Sequence, residues 1–438
     1  MPRILTGPLT RAMIVEKPHS ALDERLTAGG FQVTRVDRSP DEDELIALMA
    51  EHRPHVLFKR SRVPVTRRVI EAADDLVAIQ LCSIGDDSID KQAAADRGIL
   101  VFNDPVSNGR SVVELVVGHL VGLSRRLYET CPATAAGVWE KSSDERYEIR
   151  DKVLGVLGLG NIGRSVARVA DALGMEVIFY DNRTVAQEVG QEMGWTLADS
   201  METLFRGADA VTVHLSATDV SGASNAGCLT RELLLSTGQG RPQNSPRLFL
   251  NLSRGFLHST EDLLEAVRSG AIRRAAVDVY PEEPRGNGPG WANPYADEPR
   301  IATTPHIGAA TQEAQPRIAK RVARTQLTFS HHAAIRECVF SPRTRISMVD
   351  GHHDGRAVLM VAHSTERGTK KALDDAIYEA EANNLRSQHR DFEQWGLAID
   401  VSLLDRPLSE PQLRAIAEHT TAITGDPDAV RLVRQITA

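Results

Sequence analysis

Three kinds of side chain in the downstream half of the sequence can move a proton and hold a carboxylate, and each closely follows an apolar run. His306, in TTPHIGAAT, has an imidazole that takes up and returns a proton near neutral pH. Arg254, in NLSRG, offers a planar fork for a carboxylate and can polarise a neighbouring oxygen. In DVYPEEP, either Glu282 or Glu283 can bond the second ring nitrogen of His306 and fix its tautomer, and local sequence does not choose between them. Asp278, at the head of the same motif, is expected beside the reactive end of a nicotinamide. A base, a cation and a nearby hydride acceptor are what oxidation of a hydroxy acid at C2 requires.

The segment Lys152–Asp181 supplies a place for that acceptor: an apolar strand, the turn GLGNIG, a helix and a second strand ending in an acid. Gly158 suits the tight turn, Gly160 lets the backbone approach a pyrophosphate, and Gly163 lets the helix lie close to the strand. Asp181 is placed to accept the ribose hydroxyls of adenosine and to repel a 2′-phosphate, so NAD is favoured over NADP. Arg183, just beyond it, tempers that preference because an arginine there can face a phosphate.

These motifs must be carried by a large scaffold. At 438 residues the chain has room for two or three domains, and 42% hydrophobic with 25% charged residues is ordinary for a soluble protein. A formal net charge of −8 argues against general nucleic-acid affinity. The lack of a leader-like or membrane-length apolar run points to the cytoplasm and to no membrane partner. Cys82, Cys131, Cys228 and Cys338 are too scattered for a zinc site and read as reduced thiols. His331, His332, His352 and His353 lie in polar surroundings and read as surface residues.

Residues 1–107 alternate apolar runs at 32–36, 55–58, 76–80 and 99–102 with helical stretches, the pattern of parallel βα units. Ser111–Tyr128 reads as one long apolar helix, either a spine between domains or a core element. Runs at 210–214, 248–251, 275–279 and 300–303 continue a doubly wound sheet after the glycine turn. Ser236–Pro246 and Arg285–Pro299 are loop-like, the first read as a surface elaboration and Ser341–Asp354 as a linker. Beyond it the order is βαββαβ, that of a ferredoxin-like domain.

The linked motifs KRSR, SIG, FNDPVSNGRSVVELVVG, GVWEK, GLGNIG, NLSRG, AAVDVYPEEP and TTPHIGAATQEAQ resemble those of the D-isomer-specific 2-hydroxyacid dehydrogenases. Within that family they are most similar to the shorter bacterial phosphoglycerate dehydrogenases that end in an ACT domain. The resemblance implies an α/β fold of two Rossmann-like/flavodoxin-like domains with parallel sheets plus a C-terminal ferredoxin-like βαββαβ (ACT-like) domain. It divides the chain into a substrate domain (1–107 and 307–340), an NAD domain (108–306), a linker (341–354) and a regulatory or assembly module (355–438), with hydride transfer in the crevice between the first two.

It also implies roles. Arg254, Glu283 and His306 are the catalytic set, which selects Glu283 over Glu282. Asn161, Ile162, Asp181, Leu252, Asp278, His306, Gly308 and Ala309 join the three glycines around NAD. Arg254, Arg60, Ser61, Arg62, Ile84, Gly85, Asn108 and Lys141 bind substrate, Arg60 and Arg62 facing its phosphate, while Trp139 and Lys141 reach toward a neighbouring subunit's site in a homotetramer or homodimer. His363, Thr365 and Asn384 fall where an effector such as serine would bind, although Thr365 replaces the expected asparagine. The implied reaction is NAD-dependent oxidation of 3-phospho-D-glycerate toward serine. Its alternatives are turnover of another anionic 2-hydroxy or 2-keto acid, and an NAD-responsive corepressor-like binding protein.

Overall fold

The computed structural model describes residues 2–219, 222–284, 287–341, 344–348 and 355–437. Two compact units are formed, one by residues up to Pro105 with those from Gln315 onward, the other by Val106–Ala314. His352, His353, Arg285, Gly286 and most of the 341–354 segment lie outside the described residues.

In the first unit the strands are β1 (Arg3–Thr6), β2 (Arg11–Val15), β3 (Gln32–Val36), β4 (Val56–Lys59), β5 (Ala78–Leu81) and β6 (Leu100–Phe102). Strands β2 to β6 form a parallel sheet in the order β3-β2-β4-β5-β6. That is the flavodoxin-like order, which reverses direction between β2 and β4. Strand β2, whose four residues Ala12–Val15 are buried, has no place among the four strands expected from sequence. Two-sided burial in a parallel sheet removes the alternation by which such a strand would be recognised.

The second unit holds β7 (Val153–Leu157), β8 (Glu176–Tyr180), β9 (Thr196–Leu197), β10 (Ala210–Val213), β11 (Leu248–Asn251), β12 (Arg274–Val277) and β13 (Ile301–Thr303). All run parallel in the order β13-β12-β11-β10-β7-β8-β9, a doubly wound sheet that switches direction between β7 and β10. The expected long helix is shorter, Gly109–Ser124, and its Val112, Val113, Val116 and Leu120 join Leu154, Val156 and Leu250 in the core. It stops because Arg126 turns left-handed at φ 58° and a second helix, Leu127–Ala135, folds back. Tyr128 then bonds His119 Nδ1 at 2.7 Å.

The Ser236–Pro246 loop is not the surface elaboration expected. Thr237, Ser236 and Ser245 are buried, and Arg241 forks onto Asp209 at 3.0 and 3.1 Å, while Asp209 also accepts the Val153 N–H at 2.8 Å. The insertion thus neutralises a buried acid at the start of β10. In the 341–354 segment, Ile346 is buried and bridges Ile335, so that part is packed chain rather than free linker.

The last strands, β14 (Ala357–His363), β15 (Asn384–Phe392), β16 (Leu397–Leu404) and β17 (Val430–Thr437), alternate with helices Thr369–Glu379 and Glu410–Thr424 as βαββαβ. Their sheet has the order β1-β17-β14-β16-β15. The boundary drawn at residue 1 therefore needs correcting: β1 leaves its neighbours and pairs parallel with β17, Arg3 opposite Leu432. An outer β17 would otherwise present bare N–H and C=O groups.

Three arginines fasten this sheet to the rest of its unit. Arg434, fully buried, donates to the carbonyls of Phe329 at 3.0 Å and Ser330 and lies 5.2 Å from the Phe329 ring centroid. Those carbonyls belong to the last turn of the helix Ala314–His332, the negative end of its dipole. Arg431 reaches the Ala95 carbonyl at 2.9 Å, and Arg3 reaches the carbonyls of Leu76 and Arg97. Burial drives the Arg434 pKa down to about 9, so this cation carries a desolvation cost that its carbonyl bonds and ring contact must offset.

Replacing Arg434 with methionine keeps the stem but removes its donors and leaves buried carbonyls unsatisfied. Urea unfolding should show a loss of about 2 kcal/mol; an unchanged midpoint would mean the guanidinium contributes nothing to docking the C-terminal sheet.

Candidate active site

The glycine turn is shaped by contacts that admit no side chain at two positions and leave room at the third. Gly158 has φ 90°, and a Cβ on it would sit 2.6 Å from the His214 carbonyl oxygen. A Cβ on Gly163 would lie 2.0 Å from the Gly158 oxygen, so the helix Asn161–Ala172 can approach β7 only with glycine there. Above Gly160, the N-cap of that helix, nothing comes nearer to a Cβ position than Arg183 Nη2 at 3.9 Å. Open space over a helix N-terminus suits a pyrophosphate, so the residues present fit a dinucleotide. Asn161 and Ile162 begin the helix, and Leu252 is buried in the core beneath the sheet's end.

Asp181 directly follows β8, only 6% exposed. Its carboxylate accepts the backbone N–H groups of Leu159 at 2.8 Å and Arg183 at 2.9 Å, and the Arg183 guanidinium through Nε at 2.9 Å and Nη2 at 2.7 Å. Burial opposes ionisation of this carboxyl, but the Arg183 and backbone donors prevail and hold its pKa below the usual range.

Arg254 directly follows the Leu252–Ser253 turn at the end of β11. Its carbonyl accepts from Asn251 Nδ2 at 2.8 Å, while Nη1 donates to the Ser253 carbonyl at 2.9 Å. The next residue must be glycine, because a Cβ on Gly255 would fall 2.0 Å from the Tyr280 carbonyl carbon. That close pass sets the direction in which the chain carries Arg254 off the sheet.

His306 Nδ1 meets Glu283 Oε2 at 2.8 Å and Oε1 at 3.0 Å. Of the two adjacent acids it is Glu283 that reaches the imidazole, and its Oε1 also accepts the Tyr280 N–H at 3.3 Å. A carboxylate on Nδ1 keeps the proton there and leaves Nε2 as the basic nitrogen. Asp278, 1% exposed, accepts from Thr304 Oγ1 at 2.6 Å, Ile307 N at 2.9 Å and Gly308 N at 2.8 Å. Burial raises its pKa while those donors pull it down. Its carboxylate is thus engaged with the loop that carries His306. Ala309 completes the same loop.

The expected substrate residues are shared between the units. On the first, Arg60, Ser61 and Arg62 follow β4, and the residue that sequence passed over is Glu16, at the end of β2. Glu16 Oε1 accepts the N–H groups of Arg62 at 2.7 Å and Val63 at 3.0 Å. Fully buried Lys59 holds the other side of the loop, donating to the Arg60 carbonyl at 3.0 Å and Ser88 Oγ at 2.6 Å. Burial pushes the Lys59 pKa down to about 8, with Glu16 acting in the opposite direction from 3.8 Å away. The one sequence signal was an acid directly after an apolar run. Ile84 and Gly85 follow β5, their carbonyls bonded by Asn103 Nδ2 at 2.7 Å and Ser83 Oγ at 3.2 Å. On the second unit Asn108 is buried at the start of the long helix, and Lys141 is exposed near Trp139, which is 85% exposed.

In the C-terminal sheet the expected effector residues do not converge within one chain. His363 stands beside Ala398 and Asn384 beside Leu404 in the register against β14 and β15, about 20 Å apart along β16. Thr365 is exposed in the loop after β14. What His363 does meet is His389, stacked at 5.4 Å between ring centroids. His389 lies 3.4 Å from buried Asp400 and 3.0 Å from Asp391, and Lys370 and Ser402 also bond Asp400 at 3.0 and 2.9 Å.

A model of the D-isomer specific 2-hydroxyacid dehydrogenase NAD binding domain matches residues 117–308. D-3-phosphoglycerate dehydrogenase of Escherichia coli K12 is 32% identical over 409 residues, 92% of this chain and 94% of that one. D-3-phosphoglycerate dehydrogenase 2 of Saccharomyces cerevisiae is 31% identical over 371 residues, 83% and 75% of the two chains. Among solved structures, a glyoxylate reductase from Paecilomyes thermophila superposes with a TM-score of 0.65 at 22% identity, covering 75% of this chain and 98% of that one. The chain belongs to the D-isomer-specific 2-hydroxyacid dehydrogenases. It is an NAD(P)-dependent oxidoreductase acting on an anionic 2-hydroxy or 2-keto acid.

Asp400 and Asp391 raise the pKa of His389 above its ordinary 6.5, the bond to Asp400 weighing most. A raised folded-state value means the protonated ring stabilises the module fully below about pH 6.5, and that this support fades as pH climbs through the raised pKa. Unfolding midpoints of wild type and His389→Gln, compared from pH 6 to 9, should differ most at the acid end and converge at the alkaline end.

Proposed function

We propose that the substrate is a 2-hydroxy acid with a second anionic group, 3-phospho-D-glycerate before others, oxidised to 3-phosphooxypyruvate with NAD as an acceptor. The observation that carries the reaction is the 2.8 Å contact of His306 with Glu283 on the unit that also bears Arg254 and the glycine turn. The choice of a phosphorylated acid is supported by the two arginines that the Glu16 and Lys59 brace presents, and by the curated relatives' names.

In this reading Arg254 binds the carboxylate bidentately and draws charge from the C2 oxygen. His306 Nε2 removes the hydroxyl proton as the C2 hydride departs, and the imidazolium so formed is stabilised by Glu283 through Nδ1. The nicotinamide, when bound, supplies the hydride acceptor. Arg60, with Arg62, holds the distal anion, and Gly158, Gly160, Gly163, Asn161 and Ile162 hold the pyrophosphate. The same residues run the reaction backward on a keto acid. A second reading, reduction of a smaller keto acid, is favoured by solved neighbours such as the glyoxylate reductase and the glyoxylate/hydroxypyruvate reductase of Sinorhizobium meliloti with NADP and malonate.

Two variants separate the parts. His306→Ala should lower kcat by about 10²- to 10⁴-fold with the fold intact by circular dichroism; ordinary turnover would refute the assigned base. Arg60→Ala should cost kcat/KM on phosphoglycerate by about tenfold or more and spare glycerate and lactate. Equal losses on all three, or faster wild-type turnover of glyoxylate than of either phosphorylated partner, would move the assignment to the smaller acids.

A further inference from the structure

We infer that Arg183 sets the choice of dinucleotide in this chain, and opens the adenosine end of the site to a 2′-phosphate as well as to a plain ribose. This rests on the dinucleotide reading above and concerns a side chain outside the glycine turn.

A carboxylate has about four lone-pair positions, and at Asp181 four donors are already in place. The N–H groups of Leu159 and Arg183, at 2.8 and 2.9 Å, belong to the backbone and stay. The other two, Nε at 2.9 Å and Nη2 at 2.7 Å, belong to the Arg183 guanidinium. Two ribose hydroxyls seeking Asp181 must therefore displace a bidentate, charge-assisted pair from a 6% exposed acid. An acid that is free to receive ribose rejects a 2′-phosphate by charge; here that charge is already answered by a cation.

The arginine is also well placed to receive the phosphate. A guanidinium has five N–H donors, and the Asp181 pair uses two of them. Nη2 lies 3.9 Å from the Cβ position of Gly160, which puts the group beside the pyrophosphate turn. Its side chain is 36% exposed, so the group is not sealed in the core. The turn beneath is secured, since Gln187 Nε2 donates to the Asp181 carbonyl at 2.7 Å. Binding NADH therefore breaks an ion pair, whereas binding NADPH extends it.

The test is direct binding to the full chain without acid substrate. NADH and NADPH are titrated by nicotinamide fluorescence, and AMP and 2′,5′-ADP by calorimetry, for wild type, Arg183→Gln and Arg183→Lys. Wild type is expected to bind NADPH within about tenfold of NADH. Arg183→Gln should bind NADH severalfold tighter and NADPH at least tenfold weaker, with 2′,5′-ADP following NADPH. Arg183→Lys, which keeps the charge without the fork, should fall between them. A wild type that prefers NADH by more than a hundredfold, or an NADH to NADPH ratio unmoved in Arg183→Gln, overturns the inference while leaving the dehydrogenase reading intact. Binding of neither dinucleotide would overturn both.

Discussion

The Asp278 carboxylate decides the form of the loop that follows β13. It takes a hydroxyl from Thr304 on one side of His306 and two successive N–H groups, of Ile307 and Gly308, on the other. His306 between them is left-handed, at φ 53°, a conformation that L residues other than glycine and asparagine enter at a cost of roughly 1–2 kcal/mol. Three bonds to one buried acid hold it there. Without that anchor the imidazole would have no fixed relation to Glu283, which approaches from the neighbouring β12 end, nor to Arg254, whose exit from β11 is set by the contact of Gly255 with Tyr280. His306, Glu283 and Arg254 are thus each placed by backbone constraints of adjoining strands.

What was legible in the sequence follows the range of the forces involved. The glycine turn could be read because its sequence pattern is local, and Gly163 is demanded by Gly158 within the same βαβ unit, although the atom that excludes a side chain at Gly158 is the His214 carbonyl oxygen beyond β10. The ends of β7, β8 and β11 could be read from short apolar runs. Glu282 and Glu283 could not be told apart from their chemistry, because the choice depends on how the chain turns after β12. Glu16 went unseen for a similar reason: its importance lies in two N–H groups more than forty positions away, and an acid after an apolar stretch is usually solvated. The 236–246 loop has a surface-like composition, yet its arginine serves an acid at the far end of a strand.

Arginine performs much of this long-range work. Arg241 and Arg274 each bring a cation to a carboxylate, and Arg434 and Arg3 each bring one to backbone carbonyls. Arg274, in β12, joins Glu145 at 2.8 Å and also bonds Glu129, which ties the exposed 136–150 segment to the sheet. Hydropathy patterns record only that such residues are charged, so none of these ties could be anticipated from them.

Strand β1 has a temporal consequence. Arg3 pairs with Leu432, so β1 lies against a strand made more than four hundred residues after it. At ordinary synthesis rates of about 5–20 residues per second, β1 waits on the order of a minute for its partner. Throughout that interval it is a solitary strand with open hydrogen-bonding groups, available to any other sheet edge in the cell. Its brevity, four residues headed by an arginine, limits how firmly a stranger could hold it until β17 emerges.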